Sequence, residues 1–392
     1  MVYSDFNEKQ ISMLAMGAMR LPKRSADDAD IDEAAVFEMV DYAIKHGVNY
    51  FDTAWGYHNG NSEIVMGKAL KKYPRESFYL ADKFPGYDLS NMGKVEEIFE
   101  QQLKKCQVDY FDFYLFHNVC ELNIDAYLEP KYKTYEYLIE QKRNGRIKHL
   151  GFSVHGDQKT FERFLDAYGK DMEFCQIQLN YVDWDFQDAK SKVQTLNKLG
   201  IPVWVMEPLH GGKLCHLNDK VASKLSALQP DYTQTQWAFR FLQSIPQVKV
   251  ILSGMSNFEQ LKQNIATFDE FKPVTEAERN VLFEIAKEMT GKNSLPCTEC
   301  RYCVSHCPQS LDIPTLIALY NEHNFSDNGF IAPMRVSQMP NESRPSACIG
   351  CRSCEAVCPQ KIKISEAFKV FDGQLKASPM YKWHKTEFIG IF

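Results

Sequence analysis

Eight short apolar runs constrain this chain more than any other feature. They are ISMLAMG, VNYFD, SFYLADK, FDFYLFH, IKHLGFS, FCQIQLN, IPVWVME and VKVILSG, spread from the amino terminus to about residue 255, and most end on polar or glycine residues. Segments with helical spacing lie between them. In EAAVFEMVDYAIKHG, Val36, Met39, Val40 and Ala43 form one apolar stripe and Gly47 stops the helix. Continuous apolar strands alternating with amphipathic helices mean a parallel sheet covered by helices. Eight such units in roughly 250 residues predict a closed (β/α)8 TIM barrel. A doubly wound sheet, the structural competitor, would place a G-x-G-x-x-G turn after a strand, and no strand here is followed by one.

Beyond the barrel pattern, TEAERNVLFEIAKEMTG reads as one more helix, with a capping box from Thr275 to Glu278 and a stop at Gly291. Composition then changes abruptly. CTECRYCVSHCPQSLDIPTLIALY is echoed by CIGCRSCEAVCPQKIKISEAFKVF, each cysteine of the second copy lying 51 residues after its counterpart. Cys297, Cys300, Cys303 and Cys307 precede Pro308, and Cys348, Cys351, Cys354 and Cys358 precede Pro359. Both quartets match C-x2-C-x2-C-x3-C-P. Three thiolates on one tight loop hold three irons of a cubane, and in two-cluster ferredoxins the fourth cysteine serves the other cluster. The expected ligand sets are therefore Cys297, Cys300, Cys303 and Cys358 for one 4Fe-4S cluster, and Cys348, Cys351, Cys354 and Cys307 for the second. Zinc sites would need only paired C-x-x-C units and would leave the third and fourth cysteines unexplained. DIPTLIALYNEH, between the quartets, has helical spacing. The expected organisation is a barrel over 1–290, a small, mainly helical ferredoxin-like iron-sulfur domain over 291–375 and a tail over 376–392.

A length of 392 residues suits one large domain plus a smaller one. The net charge of -6 and pI near 6.0 give no reason to expect nucleic acid or an anionic membrane surface as partner. No apolar run approaches the ~20 residues of a membrane span. MVYSDFNEKQ is polar and lacks an export signal. Eight of the twelve cysteines sit in the two quartets, so they read as metal ligands in a reducing, cytoplasmic setting and not as disulfides. Cys106, Cys120, Cys175 and Cys215 are scattered and read as barrel packing.

In a barrel of this kind the working residues sit where strands end. FDTAWGYHNG begins as a strand, stops on Asp52 and sets Tyr57 five residues later. Lys83 and His117 end the next two runs, so four ionisable side chains are expected around one mouth. Taken singly, Asp52 could cap a helix, Lys83 could be a surface charge and His117 a satisfied polar group. Together they are mutually useful. An ammonium beside a phenol favours the phenolate and lowers its pKa from ~10. Asp52 could hold Lys83, and His117 could orient a carbonyl oxygen. His58, His155 and His210 show no zinc-ligand spacing and read as loop or substrate-facing histidines.

FDTAWGY, YLADKF and YLFH resemble the active-site motifs of the aldo-keto reductases, barrels that reduce carbonyls with a nicotinamide cofactor. The resemblance covers roughly residues 1–290. It implies a tetrad of Asp52, Tyr57, Lys83 and His117, with Tyr57 as proton donor. It also implies that Ser153, Gln178 and Asn180 hold the nicotinamide amide. In SGMSNFEQLKQN, Ser256, Asn257 and Asn264 would grip the adenosine phosphate. Met206 stands where many relatives stack an aromatic on the nicotinamide, and Gln260 where an arginine often meets the 2'-phosphate. Glutamine cannot form that bidentate ion pair, which leaves both NADP and NAD open. The expected function is NAD(P)H-dependent reduction of a carbonyl or quinone-like substrate, with two 4Fe-4S clusters for electron transfer and a redox protein or flavin as further partner. The alternatives are an electron-transfer adaptor with a vestigial reductase site, or a reductase whose clusters are structural or redox-sensing.

Overall fold

The computed structural model describes residues 1–378 apart from 122, 218, 292–293, 296, 298–302, 327–328, 330 and 359–361. Chain contacts divide it into two compact units. The first runs from Met1 to Leu282 and the second begins at Phe283, so the division falls inside the helix Glu276–Gly291. That helix opens on the expected box, in which the Thr275 hydroxyl accepts from the Glu278 N–H and the Glu278 carboxylate accepts from the Thr275 N–H.

In the first unit all eight apolar runs supply strands of one closed parallel barrel. The strands are β3 (Leu14–Gly17), β4 (Tyr50–Asp52), β5 (Tyr79–Phe84), β6 (Phe111–Val119), β7 (Ile147–Val154), β8 (Phe174–Gln178), β9 (Val203–Met206) and β10 (Val248–Gly254), with β10 closing onto β3. Side chains alternate along each strand, so every second residue faces the barrel axis. The inward columns begin apolar, with Tyr50, Ala81, Phe113, Leu115, Phe174, Trp204 and Val250 in one core cluster. One step further toward the carboxyl ends the same columns turn polar. Asp52 follows Tyr50, Lys83 follows Ala81, and His117 follows Leu115. The apolar bottom and the polar top are thus two parts of one alternation.

The first two strands, β1 (Tyr3–Phe6) and β2 (Lys9–Ser12), pair as an antiparallel hairpin outside the barrel. The polar composition of this stretch gives no sign of the hairpin. Its turn runs through Asn7 and Glu8, both at positive φ, as two-residue hairpins require. Phe6 leaves the hairpin to pack edge-on against Trp204 and His149, so it covers the amino-terminal end of the barrel core.

The helix Glu33–Lys45 buries Val36, Met39, Val40 and Ala43, the stripe expected from its spacing, and the chain leaves it through Gly47 at φ 90. The next two helices, Ser62–Leu70 and Val95–Cys106, approach each other at Gly67. A Cβ there would lie 2.6 Å from the Lys105 carbonyl oxygen and 2.7 Å from that of Cys106.

The second unit is helical among its described residues. Ile313–Phe325 and Ile364–Ala377 are its longer helices after the boundary, and they start at the same offset as the two cysteine motifs. Leu311, Ile313, Leu316 and Ile317 from the first copy pack with Ile362, Ile364 and Phe368 from the second. The internal repeat is therefore a pair of helices sharing one core. Of the expected tail, 379–392 lies outside the described residues.

Replacing Gly67 with alanine forces backbone apart at a helix-helix contact, and we expect a loss of about 1–3 kcal/mol. A fall in the urea midpoint of the barrel transition, with unchanged slope, checks this.

Candidate active site and cysteine-lined cavity

At the carboxyl mouth the Lys83 Nζ donates to Asp52 Oδ1 at 2.5 Å and to the Thr53 carbonyl at 2.7 Å. Both charged side chains are buried. Burial opposes the lysine charge, but Asp52 and Tyr57 more than offset it, so the Lys83 pKa lies above its ordinary value. The ammonium sits 5.0 Å from the Tyr57 ring centroid. The Tyr57 ring meets His117 edge-on, centroids 6.1 Å apart. Asp52, Tyr57, Lys83 and His117 are thus brought together, and Asp52 caps no helix.

Their electrostatics differ in one respect from the sequence expectation. Burial raises the Tyr57 pKa more than Lys83 lowers it, so the net shift is upward and the resting group is a phenol. Sequence spacing showed the ammonium but not the depth of the site. Burial first, then Lys83, holds the His117 pKa well below the ordinary value, so its ring is neutral. A neutral imidazole carries one N–H to donate. Tyr87, whose ring centroid is 5.1 Å from that of His117, walls the same mouth and was not singled out from sequence.

Of the other expected residues, Ser153, Gln178 and Met206 continue the inward columns of β7, β8 and β9. Ser153 Oγ accepts from the Asn118 N–H at 2.8 Å. The Gln176 amide donates to the Met206 sulfur at 3.7 Å. Asn180 is placed differently. It is buried, its Oδ1 accepts from the Val182 and Asp183 N–H groups, and its Nδ2 donates to Asp183 and to the Glu207 carbonyl. Its amide is therefore filled from within the chain.

The segment after β10 forms a separate corner. Asn257 caps the helix Phe258–Thr267 by accepting from the Gln260 N–H at 2.9 Å. The Gln260 side chain accepts from the Ser256 N–H, and buried Asn264 donates to Ser253 Oγ. Ser256 Oγ donates to the Arg20 carbonyl at 3.0 Å. Arg20 lies against Gly254, with its guanidinium 3.8 Å from Glu207. Its cation had no sequence signal, because Arg20 and Ser256 meet only when β10 closes onto β3.

His58 is a satisfied loop residue, accepting from the Leu21 N–H through Nε2 and donating through Nδ1 to the Asp28 carbonyl. His210 contacts Asp183 and not a metal-ligand set. Cys106, Cys120 and Cys175 are buried in the barrel unit, and Cys215 is partly so.

In the second unit Cys307, Cys348, Cys351 and Cys354 line one cavity, with Ile313 and Phe368 as apolar wall. The first three cysteines of the second motif therefore face the last cysteine of the first. Cys307, Cys348, Cys351, Cys354 and Cys358 are free thiols, and among the described residues no three ligand atoms converge on a single-ion site. Thiols spread around a cavity suit a four-iron cube better than one tetrahedral zinc, whose Zn–S bonds are only ~2.3 Å. Cys297, Cys303, Cys307, Cys348, Cys354 and Cys358 all pack in or against one core, so both motifs share it. Cys300 lies outside the described residues.

Fold and site define a (β/α)8 barrel of oxidoreductase type, with a buried lysine-carboxylate pair under a phenol and a cysteine-rich helical unit appended. Residues 13–286 match the aldo/keto reductase family model, so the chain belongs to that family. Residues 296–362 match the 4Fe-4S dicluster domain model. The chain is 27% identical over 221 residues to the NADH-specific methylglyoxal reductase of Escherichia coli, covering 52% of this chain and 65% of that protein. It is 28% identical over 211 residues to a probable aldo-keto reductase of Glycine max, covering 52% and 57%. The match thus spans about three fifths of those two relatives. L-galactose dehydrogenase of Arabidopsis thaliana is matched at 24% over 312 residues, 73% of this chain and 95% of the relative. A holo aldo-keto reductase from Bacillus halodurans superposes with TM-score 0.59 at 24% identity, covering 71% of this chain and 94% of its own. One from Klebsiella pneumoniae in complex with NADPH gives 0.56 at 20%, covering 73% and 96%. These likenesses show the shared barrel.

Lys83→Met leaves Asp52 buried without its partner, and we expect a loss of about 3–5 kcal/mol, most of it recovered in Asp52→Leu/Lys83→Met. Chemical denaturation of the single and double variants measures this. For the cavity, Cys307→Ser is expected to disturb the cluster of Cys348, Cys351 and Cys354 and to spare its sequence neighbour. Mössbauer and EPR spectra of the anaerobically reconstituted protein distinguish the two.

Proposed function

We propose that this protein is an NAD(P)H-dependent reductase of a carbonyl or quinone-like substrate, carrying two 4Fe-4S clusters. The observation that supports this most is the buried Lys83 ammonium, held by Asp52 and set 5.0 Å from the Tyr57 ring. When bound, the nicotinamide supplies a hydride to the carbonyl carbon. Tyr57, a phenol at rest, gives its proton to the carbonyl oxygen. The phenolate so formed is stabilised by Lys83, whose charge needs no reorganisation because Asp52 already fixes it. Neutral His117 donates a hydrogen bond that orients the carbonyl. Water then restores the Tyr57 proton, so carbonyl, hydride and proton balance as an alcohol.

Ser153, Gln178 and Met206 surround the nicotinamide in this reading, and Ser256, Asn257, Gln260 and Asn264 meet the adenosine end. Arg20 supplies a guanidinium beside that segment. Gln260 offers no charge for a 2'-phosphate, so NADP and NAD both remain compatible with the corner. The clusters, with Cys297, Cys300, Cys303 and Cys358 on one and Cys348, Cys351, Cys354 and Cys307 on the other, pass single electrons. A hydride carries two at once, so we propose a flavin, quinone or redox protein as intermediary. The grouping of eight cysteines into two ligand-spaced quartets supports a reducing, cytoplasmic setting. No described helix is long and apolar enough to cross a membrane.

Tyr57→Phe is expected to lower carbonyl reduction by roughly 10²- to 10⁴-fold with cofactor affinity retained. Steady-state rates with a panel of aldehydes, ketones and quinones, in NADH and NADPH, check this. Unchanged turnover would remove Tyr57 as the proton donor.

A further inference from the structure

Asp183 is a buried carboxylate that takes no part in the chemistry above. It opens the short helix Asp183–Phe186, and one of its oxygens gathers three donors. Oδ2 accepts from Gln178 Nε2 at 2.9 Å, from Asn180 Nδ2 at 2.5 Å and from His210 Nδ1 at 3.0 Å. Those residues come from the end of β8, the turn after it and the loop after β9. Burial works against the Asp183 charge, but His210 and the two amides more than offset it, so the group stays ionised.

An ionised carboxylate only accepts hydrogen bonds. Gln178 must therefore turn its NH2 toward Asp183 and leave its carbonyl oxygen on the other side. Gln178 is only partly buried, and it ends the inward column of β8 at the barrel mouth. Which way a glutamine amide faces is ordinarily ambiguous, and here the acceptor-only partner settles it. We infer that Asp183 is a positioning residue that fixes Gln178 as a hydrogen-bond acceptor at the mouth, so the site selects a dinucleotide whose ring substituent donates an N–H, as a carboxamide does. The inference rests on the reading that a nicotinamide cofactor binds at this mouth.

The test compares dissociation constants of NADH and NADPH with those of their 3-acetylpyridine analogues, in which a methyl group replaces the amide NH2. Fluorescence titration of the full-length protein measures them. Wild type is expected to prefer the carboxamide about tenfold, the order of one net hydrogen bond. In Asp183→Asn, the neutral amide can also donate, Gln178 is free to flip, and the preference falls to within about twofold. General loosening of the site would weaken both ligands alike and leave the ratio unchanged. A folded Asp183→Asn that keeps the wild-type ratio overturns the inference. Should that variant fail to fold, Gln178→Leu decides, because a preference surviving it does not pass through Gln178 and the inference falls. Wild type that binds neither form removes the nicotinamide reading itself, whereas wild type that binds both forms equally removes this inference and leaves that reading in place.

Discussion

A lysine ammonium buried in the mouth of a barrel is the constraint on which the candidate active site depends. Lys83 has no exposure to water, and its charge survives because Asp52 and the Thr53 carbonyl accept hydrogen bonds from two of its N–H groups. Neither partner is close in sequence. They are in place because β4 pairs with β5 in a register that sets Asp52 beside Ala81, one inward step below Lys83. The ion pair does not have to add to net stability. Its worth lies in holding a fixed positive charge near Tyr57 in a setting where water is largely excluded and electrostatic effects are strong.

The same pattern of an inward polar group held by its surroundings recurs around the mouth. Behind Lys83, on the opposite face of β5, Asp82 joins Glu63 and Gln102 in a buried polar network, which anchors the strand from outside. On the far wall Asp183 gathers Gln178, Asn180 and His210. The barrel carries most of its polar rim on strands and supports it from helices and loops, so these side chains lie on rigid elements and are held from behind.

The cysteine unit follows another logic. Its apolar core is small, and each half repeats the other, with Leu311 and Ile313 answered by Ile362 and Ile364. Cys307 leaves its own motif to face Cys348, Cys351 and Cys354 across one cavity. With the clusters held as proposed, the two halves of this unit would be linked through shared ligands as well as through packing, and metal binding would then contribute to folding.

Much of this was legible in the sequence, and the reasons are local. Strand runs such as FDFYLFH show themselves because a barrel strand is apolar on both faces until its end. Asp52, Lys83 and His117 show themselves because each interrupts that apolarity at the same place in its run. The cysteine motifs are legible because ligand spacing on a tight loop is fixed by covalent geometry. The hairpin β1–β2 was not, since four-residue strands with exposed polar residues carry little signal. Nor were Asp183, Tyr87 and Arg20, whose positions depend on segments far apart in the chain. Sequence thus determined which residues carry charge and which strands they end. Tertiary structure decided how deeply each is buried, and so the direction of the Tyr57 shift, the inward turn of Asn180 and the face that Gln178 presents. Burial and hydrogen-bond partners are properties of what surrounds a side chain, and only the closed barrel brings those surroundings together.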